Sequence, residues 1–273
     1  MTKDQLFQKL DIEHKEFTDE LLEINFYKSL ILNAKRTKVQ ELDKQKKIAK
    51  TIIIDNKSLE NESMFMTNFM YKDMNGFYKS LGFVEKNIDE LMESIEFYHN
   101  KQYQWILVDI FELYIKFIEN SYKLLEEYDD SIFIADKKKK AYYTIINELR
   151  EKNHPRFEDF ESGKFFKKET NYRFFMQMIK EFRDAIVHQR GNNTSIDYIY
   201  NEMKKYVKID DNFKNTISAY FGTEKYQDMI CLNEIYKNEH SSLDRLGYLM
   251  EIMIVYSSFI LDEFKRLIEF KNG

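Results

Sequence analysis

Arg183 and His188, five positions apart, are the pair in this sequence whose types suit chemistry on a phosphodiester. A guanidinium keeps its charge at any physiological pH, and its planar fork matches a phosphate that gathers negative charge in a transition state. An imidazole changes protonation near neutrality and can pass a proton to or from an attacking or leaving oxygen. Asp184 stands directly beside the arginine. Glu112 and Lys116, four positions apart on an upstream segment, are a second charged pair at helical spacing. A plainer reading fits the same residues: a surface arginine with a histidine near a helix end, and a solvent-edge i,i+4 ion pair worth about 0.3–0.5 kcal/mol.

Such residues need helices to position them. Asn171 can cap a helix over Tyr172 to about Gln189, ending at Gly191, a residue suited to the left-handed position past a helix terminus. At 100° per residue Phe174, Phe175, Met178, Ile179, Phe182, Ala185 and Ile186 share one face, which predicts a core contact. Arg183 and His188 flank that face, about 140° apart around the back. His188 also falls in the last turn, where the dipole favours imidazolium, the form a general acid needs. In a second helix, about residues 103 to 128, Trp105, Ile106, Val108, Ile110, Phe111, Leu113, Tyr114, Ile115, Phe117 and Ile118 cover most of the circumference, which predicts a central place in a bundle. Asp109, Glu112, Lys116 and Glu119 leave one narrow charged stripe that must face water, a partner or a site.

The totals agree with a helical bundle. The chain has 273 residues but only 7 Gly and 1 Pro, too few turn residues for an all-β sandwich or barrel. Its formal net charge of −5 shows no basic surplus of the kind phosphate binding produces, so any RNA contact must be local. A single cysteine, Cys231, allows no intrachain disulfide and fits a reducing compartment. With one cysteine and 5 scattered histidines no metal-ligand spacing is visible, and no phosphate-cradling glycine loop occurs, so no metal or cofactor is expected. Met1 to Asp11 is charged throughout, without the apolar core of a signal peptide. The most hydrophobic stretch, Leu246 to Leu261, is interrupted by Glu251 and reads as a buried core helix rather than a membrane span. A cytoplasmic protein with no membrane contact is expected.

Along the rest of the chain, His14 to about Lys50 reads as a long charged helix fading into the lysine-rich segment 44–50, and Ile52 to Ile54 as a short strand or loop end. Met64 to Leu81 and Phe83 to Tyr98 resume helical spacing, with Gly82 as punctuation. Asp129 to Asp136 is a turn. Lys137 to Lys152 is a helix opening with Lys137, Lys138, Lys139 and Lys140, a run that usually marks a solvated face and sits poorly against the helix dipole, and it ends at Asn153, His154 and Pro155. Arg156 to Thr170 is a polar connection, and about Ser241 to Phe270 is a long final helix. The expected organisation is an all-α up-down bundle of long helices over 81–273, with an irregular insertion at about 192–239 and a helical amino-terminal extension over 1–80.

The run Arg183-Asp184-Ala185-Ile186-Val187-His188 resembles the Arg-x4-His signature of HEPN-domain proteins, in which a polar residue commonly follows the arginine. Leu107 to Lys116 is similar to the other recognisable helix of that family, with Glu112 and Lys116 matching a Glu-x3-Lys pattern. The resemblance covers about a third of the chain. Residues 1–80 and 192–239 match no known pattern. Some family toxins carry a tyrosine two residues after the histidine as a modification site, but Arg190 stands there.

The resemblance implies a homodimer in which two Arg-x4-His helices meet at a shared cleft, and an endoribonuclease that needs no metal. The ribose 2′-hydroxyl would attack the adjacent phosphate, with His188 handling protons, Arg183 stabilising the phosphorane, Asp184 orienting one or the other, and Glu112 and Lys116 lining the cleft or locking its geometry. Lys137, Lys138, Lys139 and Lys140 would be candidates for holding the RNA backbone, with Arg190 joining them. The family further implies a toxin–antitoxin or anti-phage setting, with a cognate antitoxin or regulatory partner. Two other readings stay open: a catalytically silent RNA-binding or antitoxin-type subunit, and a helical adaptor whose partners dock on the charged amino-terminal helix.

Overall fold

The computed structural model describes the chain except residues 55–56, 60–61, 63–64, 73, 76, 130, 132–140, 165–169, 190, 192–193, 209, 223–227, 234, 239–240 and 272–273. The fold is all-α, with three small two-stranded antiparallel pairs among the described residues. The chain divides into two compact units, one of residues 1–26 with 103–273, the other of residues 27–102. The division falls inside two long helices, α1 (Lys3–Thr51) and α2 (Ile88–Tyr128). Helix α1 starts well before His14. Thr2 Oγ1 accepts from the Gln5 amide and Gln5 Oε1 from the Thr2 amide, a capping box that fixes the start.

In the 27–102 unit the end of α1 packs on the start of α2 through buried Leu42, Ala49 and Ile88. Two exposed ion pairs, Lys35–Glu96 at 2.7 Å and Lys46–Asp89 at 2.6 Å, join the same helices. A short pair, β1 (Ile53–Ile54) with β2 (Lys57–Ser58), is followed by a hairpin of β3 (Phe65–Lys72) and β4 (Tyr78–Lys86). The helices expected over 64–81 and 83–98 are therefore a β-ribbon up to residue 86, and helix begins only at Ile88. Asn75-Gly76 between the strands is a hairpin-turn signal that the apolar spacing had masked. Gly82, far from ending a helix, sits at φ +114° where the register shifts between Asn68 and Met70, the conformation a bulge needs and a side chain resists. The ribbon leaves Met66, Met70, Leu81, Phe83 and Val84 exposed.

The larger unit gathers the first turns of α1, the rest of α2, and α3 (Tyr142–Lys152), α4 (His154–Glu161), α5 (Tyr172–Gln189), α6 (Ile196–Lys204), α7 (Asp211–Ser218) and α8 (Arg245–Lys271). Strands β5 (Ile235–Asn238) and β6 (Ser241–Leu243) pair just before α8, so the final helix begins later than its apolar pattern predicts. Pro155 lies in the first turn of α4 rather than at a stop, because its missing N–H costs nothing there. The stretch from 192 to 239 contains α6 and α7, capped by Ser195 and Asp210. Helix α8 is the core rod its hydropathy predicts, with Leu246, Leu249, Met253, Ile260 and Phe264 fully buried. No helix among the described residues is long and apolar enough to cross a membrane.

Helix α2 is central in this unit: Tyr103, Leu107, Ile110, Phe111, Tyr114, Phe117 and Ile118 are all buried. Trp105, expected in that core, is 55% exposed instead. It precedes Asp109 by four residues and Glu112 by seven, so the helix places it on the polar stripe. Helix α5 packs on α4, α6 and α8 with its predicted face. Phe174, Met178, Ile179 and Phe182 are fully buried and Ala185 and Ile186 nearly so; Phe175 is partly buried against Tyr248.

Candidate active site

The ends of α5 fix the site residues. Asn171 Oδ1 accepts from the Phe174 amide at 2.9 Å, capping the start as the sequence predicts. At the other end Gly191, at φ +61°, donates its N–H to the Ala185 carbonyl at 3.2 Å. Gln104, buried on α2, donates to the Ile230 carbonyl at 2.6 Å and to that of Gly191 at 3.5 Å. A Cβ on Gly191 would lie 2.5 Å from Gln104 Oε1. Glycine is thus required both by backbone conformation and by the closeness of α2.

Arg183 and Glu112 meet across α2 and α5. Arg183 Nε donates to Glu112 Oε1 at 2.9 Å, Nη2 donates to the same oxygen, and Nη1 donates to Asp184 Oδ1 at 2.9 Å. A guanidinium has five N–H donors, so two remain for an incoming oxyanion among the described contacts. Lys180 Nζ then donates to Asp184 Oδ2 at 2.9 Å and to Glu181 Oε1 at 3.1 Å. The result is an alternating row of charges, Lys180, Asp184, Arg183, Glu112, running from α5 onto α2.

The row tunes its members. Burial works against the Arg183 charge, but hydrogen bonds to Asp184 and Glu112 outweigh it and hold the guanidinium above its ordinary value. Burial would raise the Asp184 carboxyl, but donors on Lys180 and Arg183 hold it below the usual carboxylate range. Burial, with Glu112 nearby, pushes Asp109 up. Burial likewise pushes the Tyr142 phenol up, with Lys180, Asp184, Glu181 and Arg183 all within electrostatic reach.

His188 stands apart. It is exposed in the last turn of α5, and no hydrogen bond or ion pair to it occurs among the described residues. Helical geometry separates it from Arg183 by about 140° and a rise of about 7.5 Å. Lys116, expected beside Glu112, is 3.7 Å from Glu20 of α1, and both side chains are well exposed. Arg183 has displaced the i,i+4 pairing of Glu112 with Lys116. Lys137 to Lys140 and Arg190 lie outside the described residues.

Arg183, Asp184 and Glu112 are therefore brought together, whereas Lys116 joins a different pair. Lys180 and Tyr142 were not singled out by the sequence. Lys180 carried one legible signal, its position four residues before Asp184, which is the spacing of a helical ion pair. Among the described residues no group of three or more His, Cys, Asp or Glu is arranged to hold a metal. Comparison with family models, with curated proteins and with solved structures finds no match.

Proposed function

We propose that this chain is an endoribonuclease of HEPN type that needs no metal, acting as a homodimer with a composite site. What carries the reading is the contrast on one helix. His188 is exposed and unengaged among the described residues, while Arg183, one and a third turns earlier, is oriented by carboxylates from two helices. In the reaction the ribose 2′-oxygen attacks the adjacent phosphorus as its proton leaves, the bond to the 5′-oxygen breaks, and that oxygen takes a proton. His188 carries a proton at one of these oxygens, and the two unengaged N–H groups of Arg183 meet the charge that builds on the phosphorane. Glu112 and Asp184 position Arg183. The flank-to-flank spacing of Arg183 and His188 favours convergence against a second copy of α5, the basis for the homodimer. A toxin–antitoxin or anti-phage role, with an inhibitory partner, follows from the resemblance alone.

The test is cleavage of RNA in excess EDTA by the wild-type, His188→Ala and Arg183→Ala proteins. Wild-type cleavage is expected, with loss of about 10²-fold or more in each variant. Metal-dependent cleavage, or full activity in His188→Ala, rules the reading out. A second reading, a catalytically silent RNA-binding subunit, is favoured by how thoroughly Glu112 and Asp184 occupy the Arg183 fork. It predicts RNA binding without cleavage and no growth defect when the protein is overproduced.

A further inference from the structure

Two cavities adjoin on the outer face of α5. One, of about 660 Å³, is lined by Tyr142 and Tyr143 of α3, Arg173 and Lys180 of α5, and Lys205 and Tyr206 just past α6. The other, of about 620 Å³, shares Arg150, Arg173, Lys205 and Tyr206 and continues to Lys204 and Lys208. Shared walls make them one groove. Its lining holds Arg150, Arg173, Lys180, Lys204, Lys205 and Lys208 against Glu158 and Glu161, in a chain whose net charge is −5. Glu161 is paired with Arg150, Lys180 with Asp184 and Glu181, and Lys205 with Glu202, so among the described residues Arg173, Lys204 and Lys208 are the groove cations left without a carboxylate.

Two aromatic rings stand among these cations, Tyr143 and Tyr206, each 56% exposed. Arg173 Nη2 donates to the Tyr206 carbonyl at 3.1 Å, and Lys180 Nζ lies over its ring at 5.8 Å from the centre, so Tyr206 is held in place while more than half exposed. Rings of this kind beside a basic track are what unstacked bases and their phosphates require. Along α5 the positions Arg173, Gln177, Lys180, Asp184 and His188 recur at intervals of three and four, one helical stripe rising about 22 Å from the groove to the candidate catalytic pair.

We propose that this groove binds one strand of RNA, with bases stacked on Tyr143 and Tyr206 and phosphates met by Arg173, Lys204 and Lys208, so that the strand runs along α5 to Arg183 and His188. Where the strand leads rests on the ribonuclease reading; the binding itself does not. A paired duplex offers no bare base faces to the tyrosines, and a mononucleotide fills only part of the groove.

The experiment measures fluorescence anisotropy of a labelled 2′-O-methyl RNA of about twelve nucleotides, a length within the usual single-strand site size, which lacks the hydroxyl needed for cleavage. Full-length wild-type, Tyr143→Ala, Tyr206→Ala and Lys208→Glu proteins are compared, with a duplex of the same sequence and AMP as competitors. Each tyrosine variant should weaken binding about tenfold, and Lys208→Glu should weaken it and flatten its salt dependence. All three alter exposed side chains, and circular dichroism checks their fold. Binding unchanged in both tyrosine variants, or competition by duplex or AMP as strong as by the single strand, overturns the proposal. Cleavage of ordinary RNA is followed in parallel. Groove-dependent binding without cleavage sinks the ribonuclease reading and leaves the groove; cleavage by wild type with all three variants fully active and tightly bound does the reverse.

Discussion

Asp184 accepts a cationic donor on each oxygen, Arg183 on one and Lys180 on the other, and this gives the site a pH dependence of known sign. Its carboxyl is held below the usual range, so the folded chain prefers it ionised. The stabilisation is fully present above the unfolded value, near 3.8, and is lost as pH falls through the lower folded one. Urea midpoints of wild type and Asp184→Asn should therefore differ at neutral pH and converge on acidification below about pH 4; a gap that widens there would contradict the assignment. At this scale Arg183 was legible from type and helical position, whereas Asp184 and Glu112 were linked to it by the family resemblance, and the structure brings all three into contact. The groove tyrosines were not, since Tyr143 and Tyr206 come from segments far apart in sequence and no local pattern relates them. The stripe of α2 was legible as charged but not in its pairings, because an i,i+4 rule sees only one helix while Arg183 arrives from another.

Gly191 couples two elements at one point, the end of α5 and the flank of α2. Gly191→Ala would carry a left-handed φ and a Cβ against the buried Gln104 amide, so a loss of about 1–3 kcal/mol is expected from urea unfolding. The α5 cap and termini, the buried face of α5 and the core character of α8 could be read directly, because capping chemistry and 3.6-residue periodicity act locally. The β3–β4 ribbon could not be recovered from apolar spacing alone. Among the described residues its strands leave large apolar side chains exposed and bury none, so those positions write no two-residue alternation into the sequence. Pro155 misled for a related reason: a proline stops one helix and starts another equally well, and only the neighbour decides.

Across the larger unit, Arg150 of α3 donates twice to Glu161 of α4, at 3.1 and 2.7 Å, and Tyr256 of α8 donates to the same carboxylate at 2.7 Å. Glu161 is 3% exposed, so removing it strands an arginine inside. Glu161→Ala should cost about 3–5 kcal/mol, read as a lowered urea midpoint, whereas a surface pair such as Lys15–Asp19 should cost little. The net charge of −5 predicts that any RNA contact is local, and the groove is the place proposed for one. Trp105 adds an optical consequence. As the sole indole, half uncovered on the face of α2 that also presents Glu112, it acts as an intrinsic fluorophore; anything settling there, a second copy included, blue-shifts or quenches its emission without an added dye.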